Sequence, residues 1–248
     1  MVTGTEPTAT MRHYHGTPIT PATAAVEAYG GGNALVSFPN QQDGGLALAI
    51  CQSVIFDNGA FPAWKSGKPI HNWQPFYDWV GQYKRHPAFH FAIIPDVIDG
   101  DEDANDALVN EWPHERHFGA PVWHMHESLD RLLRMGRDWQ TVCIGSSGSF
   151  ATVGNQKWWG RISQAMDAVC GPDGYPICKL HGLRMLNPKV FTKLPFASAD
   201  STNIARNIGI DKRWKTGAYP ALTKEARARL MRHRIEHYQG AERWDSEL

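Results

Sequence analysis

The sequence predicts an α/β fold, a (β/α)₈ barrel in a single domain. Three observations predict it. Eight short β-rich runs recur along the chain, most of them separated by segments with helical patterning. The runs are near-continuously apolar rather than alternating, as strands covered on both faces are. The chain has 248 residues, and a (β/α)₈ barrel takes about 250. A doubly wound open sheet shares the alternation but wants a G-x-G-x-x-G after its first strand. Here Gly30-Gly31-Gly32 precedes a strand instead of opening a helix, so it reads as a turn.

In chain order the predicted strands are Met11–His15, Ala34–Phe38, Ser53–Asp57, Phe89–Pro95, Pro121–His126, Thr141–Gly145, Pro176–His181 and Phe196–Asp200. Gly, Pro, Asn or Asp bounds each run, and these residues favour turns. The segments Trp73–Lys84, Asp101–His117, Ser128–Arg137 and Gln156–Cys170 read as helices. Positions 1–10 (MVTGTEPTAT) read as a flexible polar tail, and 11–248 as the barrel domain with a basic C-terminal helix at about 222–238. The tail has no basic region followed by an apolar run, so no secretory signal is expected. No stretch approaches the roughly 20 apolar residues of a membrane span.

Charge and cysteine usage narrow the function classes. Cys51, Cys143, Cys170 and Cys178 form no C-x-x-C pair. That pattern predicts reduced thiols in a cytoplasm and no structural zinc; no metal or other cofactor is expected. Lys plus Arg and Asp plus Glu balance at 25 each, so no global field draws nucleic acid to the chain. The distribution is uneven. Residues 99–115 carry acids and no Lys or Arg, while 222–238 carry Lys224, Arg227, Arg229, Arg232 and Arg234. That run is either a solvated helix face or a phosphate-contacting surface.

Polar residues cluster where the predicted strands end. Asp57 ends "SVIFD", Asp96 ends "FAIIPD", and His124, His126 and Glu127 end "PVWHMHE". Gly145 to Gly148 end "TVCIGSSG", His181 ends "ICKLHG" and Asp200 ends "PFASAD". In a barrel those ends converge on one face, where active sites sit. A single strand-end Asp is usually a turn residue or helix cap; three on one rim are harder to explain that way. Three carboxylates around one pocket suit chemistry at an anomeric carbon. One attacks the sugar, a second handles a proton, and the third is free to accept from the N–H groups of a base.

The ordered set of motifs resembles the tRNA-guanine transglycosylase superfamily over roughly residues 12–209. "FDNGAF" at 56–61 resembles its D-S-G-G-F/Y signature, and "IPDVID" at 94–99 stands where it carries a base-reading aspartate. "CIGSSG" at 143–148 resembles its glycine-rich strand end, and "KLHGL" at 179–183 its L-M-G-V-G-type turn. "ADSTNIARNIG" at 199–209 resembles the segment that opens with the nucleophile, and "GTPITP" at 16–21 the opening loop. The resemblance implies a glycosyltransferase that exchanges guanine in a polynucleotide for a free 7-deazaguanine such as preQ0 or preQ1. It implies Asp200 as nucleophile, Asp57 as general acid/base and Asp96 as reader of the guanine edge. Gly145 and Ser146 would contact the base, and Phe61 and His181 would sandwich it.

The departures are informative. Ala60 replaces a glycine of the signature, and the C-x-C-x-x-C zinc motif of the tRNA enzymes is absent. In these respects the chain is most similar to the short DpdA-type branch of phages and some bacteria, which implies DNA as the polymer, with tRNA as the alternative. Two rivals stand beside this reading. His13-x-His15, His124-x-His126 and Asp200 echo a metal-dependent barrel hydrolase. The 222–238 segment alone would suit a non-catalytic nucleic-acid-binding module.

Overall fold

The computed structural model describes residues 10–209 and 221–246; of the expected N-terminal tail, positions 1–9 lie outside them. Among the described residues nine strands form one parallel sheet: β1 (Arg12–Gly16), β2 (Asn33–Ser37), β3 (Ser53–Asp57), β4 (Phe89–Ile93), β5 (Gly119–Ala120), β6 (Val122–His124), β7 (Thr141–Gly145), β8 (Lys179–Gly182) and β9 (Ser198–Ser201). Their order is β5-β4-β3-β2-β1-β9-β8-β7-β6. The two ends of the sheet, β5 and β6, are halves of one strand interrupted at Pro121, which has no N–H to give to a ladder. Ile94 donates to the Ala120 carbonyl at 3.0 Å, and Cys143 donates to the Pro121 carbonyl at 2.8 Å. The split strand thus links both edges of the sheet, and the fold is the (β/α)₈ barrel that the sequence predicts.

Helices α1 (Ala22–Tyr29), α2 (Gly44–Ile50), α3 (Ala60–Lys65), α4 (Gln74–Tyr83), α5 (Glu102–Asn110), α6 (Leu129–Asp138), α7 (Gln156–Val169), α8 (Pro188–Phe191) and α9 (Asn203–Asn207) follow the strands. A last helix, α10 (Lys224–Glu236), packs on α1. Asp101, Ser128 and Asn155 cap α5, α6 and α7 by accepting an N–H of the first turn, which explains their starts. The helix expected over Asp101–His117 ends at Asn110. Pro113 disfavours helical backbone at Trp112, and Trp112 is buried against the sheet instead.

Alternation along the strands sorts side chains between two cores. Tyr14, Leu35, Ile55, Phe91, Ile93, Ala120, Val122 and Cys143 fill the barrel interior. Their neighbours in sequence, among them Ala34, Val36, Val54, Phe56, Ala92, Val142 and Ile144, pack outward under the helices. Two-residue periodicity then dictates what reaches the mouth. Ser37, Asp57, His124, Gly145 and Asp200 share the inward parity of their strands, so the side chains of all but the glycine point over the barrel axis. The same parity turns His13 and His15 outward. His13 packs edge-on against Phe191 at 5.3 Å, and His15 Nε2 lies 3.1 Å from Glu236. The histidine pair of β1 therefore lies under the helical shell, and the hydrolase arrangement, which needs it inside the barrel, is not formed.

Candidate active site

Asp57, Asn58, Phe61, Ile93, Asp96, Ile98, His124, Gly145, Ser146, Ser147, Leu183 and Arg184 line a cavity at the C-terminal mouth. Asp57, Asp96, Gly145, Ser146 and Phe61, which the resemblance assigns to catalysis or base contact, thus line one cavity together with the strand-end residues His124 and Ser147.

Asp57 closes β3 facing inward, and its Oδ2 accepts from Ser37 Oγ at 2.7 Å. Burial raises its pKa to about 6; the Ser37 hydrogen bond works against the rise, and the charges of Asp200 and Asp96 add to it. A carboxyl with that value can both give and take a proton near neutrality. The chain then turns through Gly59, whose φ of 80° and whose missing Cβ, which would stand 2.5 Å from Pro39, both require glycine. Asn58, absent from the sequence-derived site, braces this turn. Its Oδ1 accepts from the Ala60 N–H at 2.7 Å, and its Nδ2 donates to the Ile94 carbonyl at 2.9 Å and to Asp96 Oδ1 at 3.0 Å.

Asp96 therefore points into the cavity already held on one oxygen. Its other oxygen lies 2.9 Å from His124 Nε2. His124 Nδ1 has no hydrogen-bond partner among the described residues, although the side chain is buried. A Cβ on Gly145 would stand 3.0 Å from His124 Nδ1, so glycine there makes room for the imidazole. Ser146 is a wall residue anchored from behind by the Trp158 indole N–H at 2.9 Å. Glu127, by contrast, is structural: its buried carboxylate takes the His124 N–H at 2.8 Å, Asn105 at 2.9 Å and Arg131 at 2.6 Å.

Asp200 is buried at 4% exposure and accepts the Arg184 N–H on Oδ1 at 2.9 Å. It does not form part of the cavity wall; Leu183 and Arg184 line the mouth at that point. Arg184 is a second residue that sequence reasoning missed. Its backbone has φ 60°, which turns the side chain over the mouth. The guanidinium stacks on Phe61 at 3.9 Å and donates to the Ser146 carbonyl. Burial lowers its pKa, and the three aspartates oppose that shift. The face of Phe61 expected to hold a base is thus covered by Arg184. His181 is not opposite Phe61: it lies inside the barrel, fully buried, with Nε2 3.3 Å from Asp200 Oδ1.

Most of the basic C-terminal run is spent within the fold. Arg227 is buried and donates to the carbonyls of Ala221 at 2.9 Å and Ile208 at 2.8 Å. Arg229 grips both oxygens of Glu27 at 2.8 and 2.7 Å, and Arg232 reaches Glu236 and the Gly30 carbonyl. Lys224 and Arg234 are exposed. Among the described residues no three His, Cys, Asp or Glu side chains converge as metal ligands, and no helix is long and apolar enough to cross a membrane. Comparison with family models, with curated proteins and with solved structures finds no match for this chain.

Proposed function

We propose that the protein is a base-exchange glycosyltransferase, a pentosyltransferase that replaces guanine in a polynucleotide by a free 7-deazaguanine such as preQ0 or preQ1. One observation carries the reading: two inward carboxylates at one barrel mouth differ in their surroundings. Asp57 has a pKa of about 6, whereas Asp200 is pinned by a backbone N–H. Paired carboxylates with separate roles are what two-step chemistry at an anomeric carbon requires.

In this mechanism Asp200 attacks C1′ and forms a sugar ester as guanine departs. Protonated Asp57 gives guanine its proton, then takes one from the incoming base. Asp96 and the backbone at Gly145 and Ser146 read the base edge, and Asp96 retains lone pairs beyond those used by Asn58. The Arg184 guanidinium swings away from Phe61 to admit the planar base. DNA is favoured over tRNA on the sequence resemblance, and the target nucleotide is extruded or single-stranded before attack.

The test is incubation with guanine-labelled DNA or tRNA and candidate deazaguanines, followed by nucleoside mass spectrometry. Label release with deazaguanine in the polymer is expected. Exchange into tRNA with none into DNA would reverse the choice of polymer, and no exchange into either would end the proposal.

A further inference from the structure

We infer that His181 is the positioning residue of Asp200: with the Arg184 amide it fixes carboxylate oxygen Oδ1 and leaves Oδ2 as the attacking atom. The attacking role itself rests on the base-exchange reading.

The geometry begins with register. β8 and β9 pair His181 with Ser198 and Gly182 with Ala199. Ser198 and Asp200 share the inward parity of β9, so His181 lies beside the serine and one pleat below the aspartate. The imidazole is fully buried. The rings of Tyr14 and Phe91 meet it edge-on at 6.0 and 5.5 Å. Nδ1 lies 2.8 Å from Ser198 Oγ. Nε2 lies 3.3 Å from Asp200 Oδ1, outside hydrogen-bond geometry, and has no hydrogen-bond partner among the described residues.

Those contacts select one tautomer. A proton on Nδ1 would aim the bare lone pair of Nε2 at a carboxylate oxygen, which is repulsive. A proton on Nε2 faces Asp200, and Ser198 then donates its hydroxyl proton to Nδ1. A small rotation of the carboxylate turns the 3.3 Å approach into a hydrogen bond. Oδ1 is thus served by two donors, the Arg184 N–H and His181 Nε2–H, and is the less nucleophilic oxygen.

In the first step the Oδ2 lone pair forms the bond to C1′ as the C1′–N9 bond breaks. The bonding electrons leave on guanine N9, which takes the proton of Asp57. In the second step the incoming base gives its N9 proton to Asp57, and its lone pair displaces Oδ2 from C1′. His181 keeps its proton throughout. Its donation to Oδ1 orients the attack and stabilises the carboxylate as it leaves.

Two measurements test this. Nitrogen NMR of the intact protein should show His181 with Nε2 protonated and Nδ1 as acceptor; the opposite tautomer overturns the inference without reference to any activity. Single-turnover formation of the denaturation-resistant polymer adduct should slow about 100-fold in His181→Leu, as when the partner that orients a reacting group is lost. His181→Gln, whose amide can donate to Oδ1, should recover most of that loss, and guanine affinity should change in neither variant. Adduct formation at the wild-type rate in His181→Leu, or a loss confined to guanine affinity, overturns the positioning role. Absence of any adduct or exchange in the wild-type protein, with the expected tautomer present, counts against the base-exchange reading and removes the attacking role of Oδ2 with it.

Discussion

The two ends of the barrel use similar residues to opposite effect. At the N-terminal end, Tyr14 Oη bonds to Ser53 Oγ at 2.6 Å and to His90 Nδ1 at 2.7 Å, while Arg12 reaches His90 Nε2 at 3.2 Å. Each polar group there has a partner, and burial beside Arg12 pushes His90 down to about 3, leaving it neutral. At the C-terminal end three aspartates face one another. There His124 Nε2 lies 2.9 Å from Asp96 and His181 Nε2 3.3 Å from Asp200, so the imidazoles sit against carboxylates. The N-terminal end is closed by side-chain hydrogen bonds, whereas the C-terminal end is open and gathers acids around a cavity.

The largest expected effect breaks the open end. Asp200→Asn keeps the size of the side chain and can still accept the Arg184 N–H, so the protein should remain folded. Exchange should fall by on the order of 10⁴-fold or more, as for loss of a catalytic nucleophile, and the adduct should vanish from denaturing gels. If Asp200 only ends a strand and orders the turn after it, turnover will stay near normal.

Asp57→Asn should lower exchange by about 10²–10⁴-fold while acting on stability in the opposite sense. The folded pKa of Asp57 is raised by burial, so the native state holds a proton that the unfolded chain releases. Its stabilising contribution is complete below the ordinary carboxylate range and is lost as pH rises to about 6. At pH 7 the wild-type protein therefore carries a destabilisation on the order of 3 kcal/mol, which the neutral amide relieves. Thermal melts from pH 4 to 8 should show the wild type losing stability across that window and Asp57→Asn losing less. Parallel curves would mean that Asp57 is not buried as an acid.

Asp96→Asn should weaken binding of free guanine by about 1–3 kcal/mol and leave polymer affinity nearly unchanged. Calorimetry with guanine and with an abasic oligonucleotide separates the two, and unchanged guanine affinity would take Asp96 out of base recognition.

The closed end supplies the control. Tyr14→Phe removes the hydroxyl that joins Ser53 to His90 Nδ1, while Arg12 keeps its contact with Nε2; a cost of about 1–3 kcal/mol in denaturant melts is expected, with exchange intact. A loss of turnover without a loss of stability would show that the two ends are coupled.

The same contrast explains what could be read in advance. Ser53–Asp57 and Thr141–Gly145 match their predicted strands residue for residue, because apolar runs and strand-ending residues are local signals. The carboxylates of the mouth were legible for that reason, since strand parity and the common direction of parallel strands gather them without further information. What depended on distant partners was not legible. "VIFDN" does not say that Asn58 will reach across to Ile94 and Asp96. Nor does "HGLRM" say that Arg184 will adopt a positive φ and lie on Phe61. The departure D-N-G-A was the one available hint for Asn58. His181 was placed against the base by analogy, whereas its register with Ser198 turns it beneath Asp200.

The smallest effects are expected on α10, whose basic run reads as either a solvated face or a phosphate-contacting surface. Arg227, Arg229 and Arg232 hold carbonyls and glutamates of the protein's own fold. Arg229→Ala should change stability little, because its pair with Glu27 is exposed and screened. Lys224 and Arg234 are exposed, as Arg229 is, but hold no carboxylate of the fold among the described residues. If they contact the backbone of a bound strand, Lys224→Ala and Arg234→Ala should each lower the slope of log K against log salt by about 1. Exchange into a saturating polymer should not change, since neither residue reaches the mouth. Filter binding between 50 and 200 mM salt, the range over which phosphate contacts are felt, decides the matter. A slope that is the same in both variants and the wild type would assign α10 to holding the barrel together through α1 and place the polymer's path on another part of the mouth.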